Sequence, residues 1–291
     1  MKKSLRIRRV LFISALSLAV LLVFIISSHR SPKAPQMRRV KGINSLITNQ
    51  MSDSLGLEKL DRDINTFMQR WWIRGLSLSV MRGDSLLYAK GYGKADENRE
   101  MGPGNIMRIA SISKLLTAAG IMKLQEEGKL HLSDKVFGSS GILCDEAYTE
   151  AIKEKAYFDI TVEQLLRHES GLSIRRGDPM FTTRDIMHIY RLEEAPDQET
   201  LVRLMLPRRL GYKPGTSRQY SNFGYLLLSM IIEKLTGEEY EKWMQKNLLE
   251  PAGCVDMHLA HNYYKNRYPN EVRYYMQDND PLVPEYTNSG D

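Results

Sequence analysis

The chain has 291 residues, 42% of them hydrophobic and 26% charged, with a formal net charge of +6. That excess is confined to one end: residues 1–41 carry ten Lys or Arg and no acid, which leaves 31 basic against 35 acidic residues, a balance of −4, over residues 42–291. A basic nucleic-acid surface is therefore not indicated, and two cysteines, Cys144 and Cys254, are too few and too far apart for a disulfide framework or a four-ligand zinc site.

Residues 1–9 hold Lys2, Lys3, Arg6, Arg8 and Arg9 and precede a charge-free run, Val10 to Ser28. As a helix, these 19 residues would measure about 28 Å, close to the ~30 Å hydrocarbon core of a bilayer. Residues 10–28 are thus expected to form a transmembrane anchor. A cleavable signal peptide is the alternative, but its apolar core is shorter and ends in an A-x-A-like site, which is not found before His29-Arg30. Arg30, Lys33, Arg38, Arg39 and Lys41 balance the five upstream cations, so the positive-inside rule leaves the orientation open. The basic flanks suit lipid headgroups. Ser31-Pro32-Lys33-Ala34-Pro35 reads as a linker, taken over residues 29–52, and residues 53–291 as the folded domain, long enough for a real core.

In that domain Leu57, Leu60, Ile64, Phe67, Met68 and Trp71 mark an amphipathic helix. Leu76, Leu78 and Val80 alternate with Ser77 and Ser79, and Arg82-Gly83-Asp84 separates them from Ser85-Leu86-Leu87-Tyr88-Ala89, which predicts a β-hairpin with a polar turn rather than an adhesion tripeptide. From Ser111 a helix is expected, with Ile112, Leu115, Leu116, Ala119 and Met122 on its buried face and Gly128 at its end. Thr161 and Gln164 are spaced as a capping box for another helix, which closes on Arg167-His168-Glu169-Ser170-Gly171-Leu172. Residues 184–210 are helical in composition, Tyr212-Lys213-Pro214-Gly215-Thr216 is a turn, and helices are expected from Phe223 to Leu235, closed by Gly237, and from Glu238 to Leu248. Cys144 and Cys254 are expected to be buried free thiols, with one disulfide as the alternative if the domain is exported.

Ser111 and Lys114, three residues apart, stack an ammonium beside a hydroxyl near a helix N-terminus. An amine with a lowered pKa activates a serine nucleophile in this way. The same spacing also fits a plain N-cap with a solvated lysine. The order of motifs along the chain decides between the two: Arg108-Ile109-Ala110-Ser111-Ile112-Ser113-Lys114, then Gln125-Glu126-Glu127-Gly128-Lys129-Leu130, Leu165-Leu166-Arg167-His168-Glu169-Ser170-Gly171-Leu172, Tyr212-Lys213-Pro214-Gly215, Tyr220-Ser221-Asn222 and Leu249-Glu250-Pro251-Ala252-Gly253. Over residues 55–260 the chain resembles the serine β-lactamase-related hydrolases of the class C and D-alanyl-D-alanine carboxypeptidase type, a penicillin-binding-protein-like family.

The resemblance implies an α+β, β-lactamase/transpeptidase-like fold, in which an antiparallel sheet is flanked by helices and joined by a helical subdomain, with the active site in the cleft between. It implies Ser111 as the acylated nucleophile, Lys114 and Tyr220 as its proton partners, and Asn222 as the residue that binds the substrate's acyl-side amide. A phenol of pKa ~10 needs nearby positive charge to act as a base at neutral pH. His168 is expected to be a structural loop histidine, and His258 and His261 loop residues rather than metal ligands. No cofactor or metal is called for.

The family's third motif, Lys-Thr-Gly or His-x-Gly, is not found beyond Asn222. The chain is accordingly expected to be a C-terminally incomplete hydrolase lacking late strands, with one oxyanion-hole donor missing and its activity weak or absent. Two functions are expected. One is a serine hydrolase of the cell envelope, membrane-anchored with its domain on the periplasmic side or exported, acting on a β-lactam, a peptidoglycan-type peptide or an ester. The other is a membrane-anchored, catalytically inactive protein that binds peptidoglycan or a partner. Neither the choice of substrate nor the oligomeric state is written in the sequence.

Overall fold

The structure, a computed structural model, describes residues 46–275 except 54, 176 and 262–265. The expected anchor at 10–28, segment 1–9, most of the linker and residues 276–291 lie outside the described residues. Among the described residues no helix is long and apolar enough to cross a membrane. All of them fall in one compact unit, Val40–Asp291.

A short helix α1 (Asn49–Asp53) and α2 (Glu58–Arg70) precede strands β1 (Gly75–Arg82) and β2 (Ser85–Gly93). The hairpin forms as its alternation predicts, pairing from Gly75↔Gly93 to Arg82↔Ser85 with one register shift between Val80 and Met81, and with Gly83 at φ 56° making the turn. Side chains of α1 close the outer edge of β2. The Asn49 amide bonds both the N–H (2.8 Å) and the C=O (3.2 Å) of Gly91, and Ser52 Oγ does the same for Ala89 at 3.1 and 2.8 Å. Asp61 fastens α2 to the hairpin, accepting from Tyr92 at 2.6 Å and Lys90 at 2.8 Å. No described strand pairs with the other edge, that of β1. The expected inner face of α2 is corrected: only Met68 is buried, while Leu57, Phe67 and Trp71 are exposed.

A 3-10 turn (Ala110–Ile112) runs into α3 (Ser113–Glu126), followed by α4 (Glu146–Ala151), α5 (Val162–Leu166), α6 (Thr183–Tyr190), α7 (Gln198–Met205), α8 (Asn222–Thr236) and α9 (Tyr240–Met244). The buried face of α3 is Thr117, Gly120, Ile121 and Leu124. This corrects the expected face, since Ile112 is 60% and Leu115 70% exposed, and Met122 is exposed as well. The reason is composition: α3 carries apolar residues all round, so spacing alone does not select the side that meets α8. That meeting is close at Gly120, where an added Cβ would lie 2.9 Å from Met244 Sδ and 3.1 Å from Ile232 Cδ1. A side chain there would require the Met244 and Ile232 side chains to shift.

The α3–α8 pair sits in the main core with Leu130, Phe137, Ile160, Val162, Leu165, Leu201, Leu206, Leu227 and Ile231, all essentially inaccessible. The capping box at Thr161 forms with both of its hydrogen bonds. The expected helical stretch 184–210 is two helices: α6 ends where Arg191 turns left-handed at φ 53°, and Asp197 caps α7 by accepting from Thr200 N–H. The helix expected over 238–248 is α9 followed by a π-turn, Gln245–Leu249. Cys144 and Cys254 are free, as expected, but exposed rather than buried.

Candidate active site

Three segments far apart in sequence deliver the candidate residues. Ser111 lies in the 3-10 turn rather than in a regular helix or at an N-cap, immediately after Ala110, whose φ of 45° is in the region that side chains disfavour. This tight turn presents the Ser111 hydroxyl outward, and Lys114, in the first turn of α3, follows on the same side. Tyr220, Ser221 and Asn222 enter α8 with Ser221 extended (φ −141°, ψ 119°), and its side chain caps the helix by accepting from Gly224 N–H. In extended chain the side chains of residues 220 and 222 project to one side while that of 221 goes to the other.

The four predicted residues come together. Tyr220 donates its phenolic O–H to Ser111 Oγ at 2.7 Å. Lys114 Nζ donates to Asn222 Oδ1 at 2.5 Å and lies 3.4 Å from Ser111 Oγ. The same ammonium stands 5.0 Å from the Tyr220 ring centroid and 5.6 Å from that of Tyr225. Burial acts to raise the Tyr220 pKa, but hydrogen bonds with Lys114 and Ser111 and the charge of Lys114 outweigh it, so the phenol sits below its ordinary value. Ser111 and Tyr220 are both exposed, so a substrate carbonyl has access to the hydroxyl.

Two further residues belong to this arrangement. His168 is buried, has φ 60°, and packs at a tilt against Tyr220 with ring centroids 4.5 Å apart and against Tyr225 at 5.2 Å. Its Nδ1 accepts the Ser221 N–H at 3.3 Å, so that nitrogen carries no proton. Burial, then the charges of Lys114 and Arg218, lower its pKa and keep the ring neutral. The loop histidine expected from sequence is thus a wall behind Tyr220. Asp178, which sequence reasoning passed over, accepts the backbone N–H of Asn222 at 2.8 Å and its Nδ2–H at 3.2 Å. Asp-Pro before a helical turn is readable as a cap, but nothing local ties it to a residue 44 positions on.

His258 bonds Glu241 at 3.1 Å and stacks on Tyr268, while His261 packs on the same ring. Among the described residues no group of three or more His, Cys, Asp or Glu is placed to hold a metal.

A hydroxyl that shares protons with a phenol and an ammonium, open to solvent at the mouth of a helix, is equipped to attack a carbonyl and to hold the acyl group. Comparison with known proteins agrees with this reading of the fold. The β-lactamase family model matches residues 60–290. A penicillin-binding protein of Bacillus subtilis (strain 168) is 30% identical over 212 residues, covering 72% of this chain and 42% of its own. The octameric penicillin-binding protein homologue from Pyrococcus abyssi superposes with a TM-score of 0.55 at 26% identity, over 81% of this chain and 52% of that one. A class C β-lactamase in complex with cefoxitin superposes with a TM-score of 0.56 at 23% identity, over 80% and 60% respectively. The chain spans less than half the length of the curated relatives it matches, 44% for Staphylococcus aureus protein flp. With a β-lactamase/transpeptidase-like fold of helices around a small antiparallel sheet, and with its motifs in the expected order, this chain belongs to the β-lactamase family.

Proposed function

We propose that the chain is a serine hydrolase that forms an acyl-enzyme on Ser111. The observation that carries the proposal is the 2.7 Å hydrogen bond from Tyr220 to Ser111 Oγ with Lys114 Nζ against both side chains. In the reactive form Tyr220 is the phenolate, favoured by the Lys114 ammonium that lowers its pKa; Ser111 then gives its proton to the Tyr220 oxygen along their 2.7 Å contact as Oγ attacks the substrate carbonyl, and the Ser111 N–H faces the developing oxyanion. The pair then returns the proton to the leaving group. Water, deprotonated by the same pair, releases the acyl group and regenerates the serine. Asn222 donates to or accepts from the amide on the acyl side of the substrate. The substrate class is a β-lactam, a peptidoglycan-type peptide or an ester, the chemistries of penicillin-binding proteins and their relatives. The apolar run at residues 10–28, as a membrane anchor or an export signal, supports a location at the cell envelope, and the choice of the side outside the cytoplasm rests on the family resemblance.

The test is labelling with a fluorescent penicillin and hydrolysis of p-nitrophenyl acetate by the full chain and by Ser111→Ala. Loss of both signals in the variant supports the proposal; label uptake or turnover at the parent level in Ser111→Ala overturns it.

Surface left open in the described residues favours a second reading, a binding protein of the envelope without turnover. The edge of β1 is unpaired among the described residues, and Ile112 and Leu115 are exposed. Substantial turnover by the purified 291-residue chain rejects that reading.

A further inference from the structure

An asparagine amide has two ends of opposite polarity, and its usefulness beside an ammonium depends on which end faces it. Asn222 meets Lys114 on one side and Asp178 on the other. A carboxylate only accepts and an ammonium only donates. With Nδ2 toward Asp178 and Oδ1 toward Lys114 both contacts are satisfied; turned over, the amide would set acceptor against acceptor and donor against donor. Asp178 Oδ2 also takes the Asn222 backbone N–H at 2.8 Å, so a single oxygen holds main chain and side chain of the same residue. The carboxylate is itself fixed: its Oδ1 accepts Met180 N–H at 3.0 Å, Pro179 occupies the first position of the 3-10 turn Pro179–Phe181, and Thr182 Oγ1 donates to the Asp178 carbonyl at 3.2 Å.

We infer that Asp178 is a positioning residue of the acyl-transfer site, locking the Asn222 amide with its oxygen on Lys114 and so aiming the ammonium at Ser111 and Tyr220. It acts by contact through Asn222, its charge opposes the lowering of the Tyr220 pKa, and it touches no reacting atom. The inference deepens the hydrolase reading and rests on it for its kinetic consequence, but not for its structural one.

The groups around Lys114 show why an acceptor at that point matters. Ser111 and the rings of Tyr220 and Tyr225 surround the ammonium, and its charge reaches the neutral His168 behind them. Of these contacts the 2.5 Å bond to Asn222 Oδ1 is the shortest. A reversed amide would repel Lys114 and remove its grip on the Ser111–Tyr220 hydrogen bond.

Two variants separate this role from capping. Asp178→Asn and Asp178→Ser both keep a side-chain oxygen suited to cap Met180 N–H but withdraw the carboxylate from Asn222. The first measurement needs no turnover. In 15N–1H spectra, the side-chain NH2 pair that disappears in Asn222→Ala is expected to contain one downfield, slowly exchanging proton in the parent chain, and to lose it in either Asp178 variant. An unchanged pair in whichever variant folds overturns the inference.

The second measurement is a double-mutant cycle on the burst of p-nitrophenol release from p-nitrophenyl acetate. Asp178→Asn is expected to slow acylation roughly 10- to 100-fold in the parent, the worth of one charge-assisted hydrogen bond. In an Asn222→Ala background the same change is expected to alter the rate less than about twofold, because the route through Asn222 is already cut. Equal effects in both backgrounds overturn the inference even if the hydrolase reading stands. A parent chain that gives no burst and yet shows the NH2 signature overturns the hydrolase reading and leaves the lock established.

Discussion

The rotation of α3 about its axis decides whether Lys114 meets Asn222, and it is open to a direct test. Ile121 is fully buried in the main core, whereas Leu115, on another side of the same helix, is 70% exposed. Truncating Ile121 to Ala removes buried methyl groups and leaves a cavity whose walls, α3 and α8, are pinned close together at Gly120, so little collapse is available to offset it. The expected cost is about 2–5 kcal/mol. For a domain of this size each kcal/mol lowers the melting temperature by roughly 2–4 °C, so the expected fall is about 4–20 °C. Leu115→Ala removes a side chain that touches little, and its expected cost is within about 0.5 kcal/mol. Thermal and urea melts followed by circular dichroism read both. Equal losses, or a larger loss for Leu115→Ala, would refute this orientation of the helix and with it the approach of Lys114 to Asn222.

Removing the phenolic hydroxyl in Tyr220→Phe keeps the ring against His168 but takes away the proton relay; acylation by p-nitrophenyl acetate is expected to slow by about 10² to 10⁴, with the melting temperature nearly unchanged. His168 has its folded pKa below the ordinary 6.5, so the unfolded chain binds its proton first. Its contribution to stability is therefore complete above pH 6.5 and is lost as pH falls through the folded value. Denaturation of the parent and of His168→Gln across that window should show a steeper acid loss in the parent, and parallel curves would contradict the neutral, buried imidazole. Both thiols are exposed and free, so the native chain should react with Ellman's reagent at Cys144 and Cys254 without denaturant; thiols that react only after unfolding would contradict their placement.

What the sequence made legible was local. The capping box at Thr161 and Gln164, the hairpin around Gly83, and the left-handed glycines that close α3 and α8, Gly128 and Gly237, each depend on residues within a few positions of one another. Ser111 with Lys114 and Tyr220 with Asn222 were legible for the same reason, as two short pairs, and the resemblance joined them. The face of α3 was not, because Leu115, Leu116, Ile121, Met122 and Leu124 leave no clearly polar side and only the position of α8 chooses among them. The exposure of the cysteines ran against their usual burial. His168 and Asp178 were hidden for a different reason. Their partners lie 53 and 44 residues away, and a histidine beside a tyrosine ring or an aspartate under an asparagine leaves no mark at that spacing.

The central claim is that an acyl group resides covalently on Ser111. Brief reaction of the full chain with p-nitrophenyl acetate or benzylpenicillin, acid quenching and peptide mass mapping test it most directly. The expected result is a mass increase of one acyl or penicilloyl group on the peptide that contains Ser111, absent from Ser111→Ala. An adduct of the same yield on another residue, or no adduct on Ser111 with either reagent, would contradict the account.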